Sequence, residues 1–161
     1  MAKIENDQLL IPSVLDRLID NEPEVSRETP HSRNQVLREM KFAVRRDLEN
    51  LLNTRWRCKD IPAHLTELDV SLVNYGIPDF TGMNLGSVQD REKYRRLLEG
   101  TIRKYEPRFR KVQVRLVDSD AMDRTLHFRI DAILHADAAP VVFDTSLEPS
   151  TGTFEVRGAR R

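Results

Sequence analysis

The chain has 161 residues, 39% of them hydrophobic and 32% charged, with 26 basic residues balanced by 26 acidic ones. One domain with one core is the natural expectation for this length, and zero formal charge supplies no global field to attract nucleic acid. No run approaches the roughly 18 apolar residues of a membrane span, the start lacks the apolar stretch of a secretion signal, and the single cysteine, Cys58, has no internal disulfide partner, so cytoplasmic residence is expected.

Residues 7–20 carry Leu9, Leu10, Ile11, Val14, Leu15, Leu18 and Ile19 at helical spacing, with Pro12 at the start and Ser13 placed as a cap. They predict a short amphipathic helix. Residues 21–32 are rich in Pro, Glu and Ser, show no period, and read as a connector, so residues 1–31 form an N-terminal arm and linker. Residues 32–161 form a single domain. It opens on Ser32 with Gln35 three positions on, a capping box, followed by Leu37, Met40, Val44, Leu48 and Leu51 on one face of a long helix that ends near Asn53. From Trp56 to Gly86 the pattern breaks into short apolar pieces and turn signals, which predict loops.

A second helix begins at Ser87 with Asp90, carries Tyr94, Leu98 and Ile102, tolerates Gly100, and is closed by Pro107. The period then changes to two. Val112, Val114 and Leu116 alternate with polar residues, as do Leu126, Phe128, Ile130, Ala132 and Leu134, while Val141–Phe143 and Thr153–Val156 give two short strand candidates. Helices first and strands later predict an α+β fold, with N-terminal helices packed on a small sheet, antiparallel or mixed, built by the C-terminal half.

Candidates for chemistry are weak. His127 and His135 share a strand face, but eight residues of strand hold them about 26 Å apart, too far for one metal ion. In Asp118–Asp123 the aspartates at 118, 120 and 123 resemble a calcium loop, yet Met122 stands where an oxygen ligand belongs and the loop glycine is missing, so a hairpin turn fits better. Cys58 lies among Arg55, Arg57 and Lys59 without a nearby histidine base. Glu99, Glu106 and Asp118 could pair for glycoside hydrolysis, but aromatics are only 6% and form no sugar platform. The glycines at 76, 82, 86 and 100 are too scattered for a phosphate loop. No cofactor and no metal site is expected.

The most informative segment runs from Arg103 to Lys111, where Tyr105, Glu106, Pro107, Arg108, Phe109 and Arg110 place aromatics among cations at a helix-to-strand corner. Two readings stand side by side. As a contact site, Arg108 and Arg110 bind carboxylates, Tyr105 gives rigid area, and Pro107 fixes the backbone. As a purely local feature, the cations complement the helix C-terminus and Glu106 pairs with a neighbour.

Taken together, residues 10–18 (Leu10-Ile11-Pro12-Ser13-Val14-Leu15-Asp16-Arg17-Leu18), residues 47–55 (Asp47 to Arg55), residues 75–79 (Tyr75-Gly76-Ile77-Pro78-Asp79) and Glu106-Pro107-Arg108 resemble the phage tail baseplate wedge proteins, the family that includes the TssE proteins of type VI secretion. That resemblance implies a domain akin to the strand-exchanging domain of the contractile sheath, in a membrane-docked cytoplasmic baseplate. It implies TssF- and TssG-type wedge partners, TssK and sheath subunits, with Glu106 and Arg108 held against the helical core of the wedge and a sheet edge after Lys111 receiving sheath strands. Tyr105, Glu106, Pro107, Arg108 and Arg110, with Leu10, Ile11 and Leu15 of the arm, are the expected partner-binding residues. Trp56 stands where a basic residue is expected, and the tail Arg157–Arg161 has no assignable counterpart. A lysozyme-like enzyme and a regulatory adaptor of related fold are the competing functions.

Overall fold

The computed structural model describes residues 10, 12–20, 23–24, 32–56, 64–79, 87–117, 125–148 and 150–158. Ile11, Cys58, Gly82, Gly86, the aspartates at 118, 120 and 123, and the last arginines, 160 and 161, lie outside these residues. The elements in chain order are α1 (Val14–Leu18), α2 (Arg33–Asn53), β1 (Arg55–Trp56), two short 3-10 turns (Thr66–Val70 and Leu72–Asn74), β2 (Ile77–Pro78), α3 (Val88–Tyr105), β3 (Phe109–Val117), β4 (Leu126–Leu134), β5 (Pro140–Glu148) and β6 (Thr153–Gly158).

Both long helices start where their capping residues dictate. The Ser32 hydroxyl accepts from the Gln35 amide while the Gln35 side chain accepts from the Ser32 N–H, so two backbone donors that a helix start leaves unpaired are satisfied. Ser87 accepts from the Asp90 amide at the start of α3. Along α2, Met40, Ala43, Val44, Leu48, Leu51 and Leu52 are buried, and along α3 Tyr94, Leu98 and Ile102, each set falling on one stripe of its helix. Between the helices the chain makes a two-residue parallel pairing of β1 with β2, which follows directly on Gly76. Gly76 has φ +108°, and any Cβ there would be driven into the Thr54 carbonyl, so the close approach of these segments requires glycine.

The C-terminal half is a four-stranded antiparallel meander in the order β3-β4-β5-β6. It is not mixed: the parallel pairing belongs to the separate β1 and β2 ribbon. Alternation sends Val112 and Val114, then Leu126, Phe128, Ile130, Ala132 and Leu134, then Phe143 and Leu147, then Phe154 and Val156 to one face. That face is covered by α3 over β3 and α2 over β6. Tyr94, Phe128 and Phe154 form an edge-on and tilted aromatic row through the core, with centroids 6.1 and 6.5 Å apart. The opposite face is polar, crossed by Arg115–Asp131 and Arg129–Asp144 ion pairs, each at 3.0 Å.

One strand runs longer than the sequence reading gives it. Strand β5 extends well past Phe143 because Thr145 takes a core position, buried at 3% exposure, between Phe143 and Leu147, and a hydroxyl there hides the alternation. The apolar stripe of the arm is left open: no residue of α1 is buried, and Val14, Leu15 and Leu18 are 73%, 52% and 76% exposed. Of the described arm contacts expected, Leu10 is partly buried against the core and Leu15 is exposed.

Candidate partner-binding site

Helix α3 ends at Tyr105, and Glu106 caps it with its N–H on the Ile102 carbonyl at 2.9 Å. Pro107 cannot continue the helix, and the Phe109 N–H returns to the Glu106 carbonyl at 3.2 Å, so Glu106–Phe109 is a tight turn from helix into sheet. In this turn Arg108 folds back on Glu106. Its backbone N–H and its Nε both donate to Glu106 Oε1, at 3.1 and 2.7 Å, and Nη2 donates to Oε2, a forked pairing that leaves Glu106 only 4% exposed.

The same Nη2 reaches Asp47 Oδ2 on α2 at 2.7 Å. Asp47 in turn accepts from Arg46 Nε and Nη2 at 3.0 and 2.9 Å, and Arg46 Nη2 donates to Asp16 Oδ1 at 2.8 Å. Asp16 completes the Ser13 capping box of α1. A continuous chain of alternating charges therefore runs Glu106–Arg108–Asp47–Arg46–Asp16, from the turn across α2 to the arm. Burial would weaken the Arg108 cation, but the carboxylates of Glu106 and Asp47 more than reverse this, so its pKa lies above the ordinary value. For Asp16, burial would raise the carboxyl, and the Ser13 hydroxyl bond with Arg46 outweighs it, leaving the pKa below the usual 3.8.

Tyr105 donates its hydroxyl to the Asn74 carbonyl at 2.7 Å and meets Tyr75 edge-on at 5.3 Å. Burial, then the negative charges of Asp47 and Glu106, raise the Tyr75 hydroxyl. The Arg108 carbonyl accepts from the His135 N–H at 3.0 Å, which ties the turn to the end of β4. The structure thus brings together Tyr105, Glu106, Pro107 and Arg108, with Pro107 exposed; Arg110 stands exposed on β3, and Leu15 is exposed on α1. Glu106 does pair with a neighbour, and that neighbour is Arg108 itself. Asp47, Arg46, Asp16 and Tyr75 were not singled out as site residues. Asp47 had a visible signal, a carboxylate immediately before Leu48 at the border of the buried stripe of α2. His127 is half-buried on β4 and His135 exposed beyond its end. Among the described residues no three His, Cys, Asp or Glu side chains are grouped to hold a metal ion.

The domain is a two-layer α+β fold whose helix-to-strand turn is fixed by a charge chain and whose arm helix shows an apolar face to solvent. The family model for baseplate wedge protein gp25 matches residues 38–139, which run from α2 through the turn and β4, and the chain belongs to that family. No curated protein matches it. Membership supports a structural role in a baseplate of the phage-tail or type VI secretion kind.

Proposed function

We propose that the chain is a wedge subunit of a type VI secretion baseplate, of the TssE kind, which binds TssF- and TssG-type proteins and gives the first ring of sheath subunits a sheet edge on which to polymerise. The observation that carries this reading is the charge chain joining the Glu106–Arg108 turn to α1. It holds a basic, proline-fixed corner and an exposed apolar helix in one arrangement before any partner arrives, so less ordering entropy opposes association. Arg110 with Pro107 and Tyr105 would form the polar half of the contact, on a corner that the buried Glu106 and its partner Arg108 hold in place from inside, and Leu15 with its arm neighbours the apolar half; Leu10 would anchor the arm, and Ile11 adjoins it in sequence. TssK would dock on the same assembly, which works on the cytoplasmic side of the membrane. No described helix is long and apolar enough to cross a membrane.

Pull-down with purified TssF- and TssG-type partners tests the assignment. Arg110→Ala and Leu15→Ala lie at exposed positions and leave the fold intact. If either position is a central anchor, its truncation costs about 2 kcal/mol of binding and weakens recovery roughly 30-fold. Unaltered recovery of both variants refutes the site. Turnover of peptidoglycan by the purified chain, abolished by one Glu or Asp substitution, would favour the lysozyme-like alternative.

A further inference from the structure

The two edges of the sheet are closed by side chains from the helices above them, and unequally. At β3 the Val114 N–H donates to Glu99 Oε2 at 3.1 Å and its carbonyl accepts from Arg95 Nη1 at 2.9 Å, while the same Nη1 and Oε2 pair at 2.8 Å. One residue of a neighbouring strand would offer these same two groups, an acceptor and a donor, to Val114. At β6 the Asn53 amide does likewise, accepting from the Phe154 N–H at 2.8 Å and donating to its carbonyl at 2.9 Å. There the closure continues: Arg45 donates to the Val156 carbonyl at 3.4 Å, and Arg55 to that of Gly152.

Main-chain direction alternates along a strand, so Val112 and Leu116 present their N–H and C=O groups to the same side as Val114. Among the described residues, helix side chains bond β3 on this side at Val114, against two successive outward positions on β6, Phe154 and Val156, with Arg55 of β1 closing the turn at Gly152 just before it. Beside β3 lies an open groove of about 760 Å³ between the strand and α3, bordered by Arg103, Arg110, Lys111 and Arg115 with Glu92 and Glu99. Its cations outnumber its carboxylates; Glu92 and Glu99 are engaged by Arg95, Arg96 and Arg103, and Arg115 pairs with Asp131, so Arg110 and Lys111 carry the groove's surplus positive charge.

We propose that the outer edge of β3 is the docking strand for an extended acidic segment of another protein, and that Arg95 and Glu99 stand in for that segment in the free chain. This rests on the strand-addition part of the proposed function and names the edge, the guard and the chemistry of the incoming strand. The incoming main chain pairs at Val112 and Leu116 and displaces the side-chain ring from Val114, while acidic side chains meet Arg110 and Lys111. The guard also explains how an edge kept for a partner avoids pairing with other copies of the chain.

The test uses the full chain and a synthetic peptide of alternating valine and glutamate, followed by fluorescence anisotropy. The wild type is expected to bind it, with affinity falling as salt rises, and to ignore the alternating valine–lysine peptide. Glu99→Gln keeps a carbonyl acceptor for Val114, whereas Glu99→Ala removes it; both lose the charge, so tighter binding by Glu99→Ala than by Glu99→Gln, about fivefold for one net hydrogen bond, isolates the guard. Asn53→Ala leaves binding unchanged. In wild-type protein the peptide slows amide hydrogen exchange at Val112 and Leu116, which needs no variant to fold. Absence of binding, equal binding of the lysine peptide, or tightening by Asn53→Ala instead of Glu99→Ala each overturns the proposal. A chain that fails here yet recovers its wedge partners loses this inference and keeps the proposed function.

Discussion

The Glu106–Arg108 turn and helix α1 both carry the marks of a contact surface in the sequence, and the fold treats them in opposite ways. The turn spends its charges inside the molecule: Glu106 is buried, and Arg108 is divided between Glu106 and Asp47. Helix α1 keeps its apolar residues in water, with Leu18 at 76% exposure, and touches the body through Asp16 and Arg46. A charged motif can therefore act by fixing a backbone corner, whereas an apolar stripe left uncovered on a helix of five residues is the part that still has surface to bury.

That contrast can be broken by mutation, beginning with the buried pair. Glu106→Ala leaves Arg108 half-desolvated with one carboxylate partner fewer and costs about 3 kcal/mol of stability, which calorimetry would read as a fall in Tm of roughly 6–12 °C for a domain of this size. A Tm within a degree or two of wild type would show that the turn is not fixed by this pair. The next effect is confined to the arm. Asp16→Ala removes the reciprocal half of the Ser13 capping box and the ion pair to Arg46, while the Ser13 hydroxyl still accepts from the backbone N–H at 16; the loss is about 1 kcal/mol locally and is checked by lower amide-exchange protection at Arg17 and Ile19 with little change in Tm.

Acid sharpens the same point. The folded-state pKa of Asp16 is depressed, so its contribution is present above the ordinary value of 3.8 and is lost as pH falls through the lower folded value. The protection of the Arg17 and Ile19 amides, taken relative to the unstructured exchange rate at each pH, is accordingly expected to stay level above that pH and to fall below it. The smallest effect belongs to the apolar stripe: Leu18→Ser changes the stability of the free chain by no more than about 0.5 kcal/mol, measured by urea unfolding, because that side chain is already in water.

The sequence made the helices and the alternating strands legible because their signals are local. Ser32 with Gln35 and Ser87 with Asp90 mark starts that depend on a few residues, and Leu126–Leu134 shows its period without help from neighbours. Strand β5 was truncated in that reading because Thr145, a polar residue on the buried face, breaks the apolar period. The corner was visible as a cluster, but its partners were not. Asp47 lies 61 positions from Arg108, and Asp16 lies 30 from Arg46, and pairings at such separations are created by packing α2 across the turn. The guards of the sheet edges were invisible for the same reason, since Glu99 and Asn53 read as ordinary helix-surface residues until the strands lie beneath them.

The central claim, that the exposed face of the arm exists to hold another baseplate protein, is tested most directly by replacing Leu18 with a photo-crosslinking residue and irradiating cells that assemble the apparatus. Adducts to a TssF- or TssG-type wedge protein are the expected result, abolished when Leu15 is also changed to Ser. Adducts confined to the chain itself, or none at all in cells with an intact baseplate, would contradict the account.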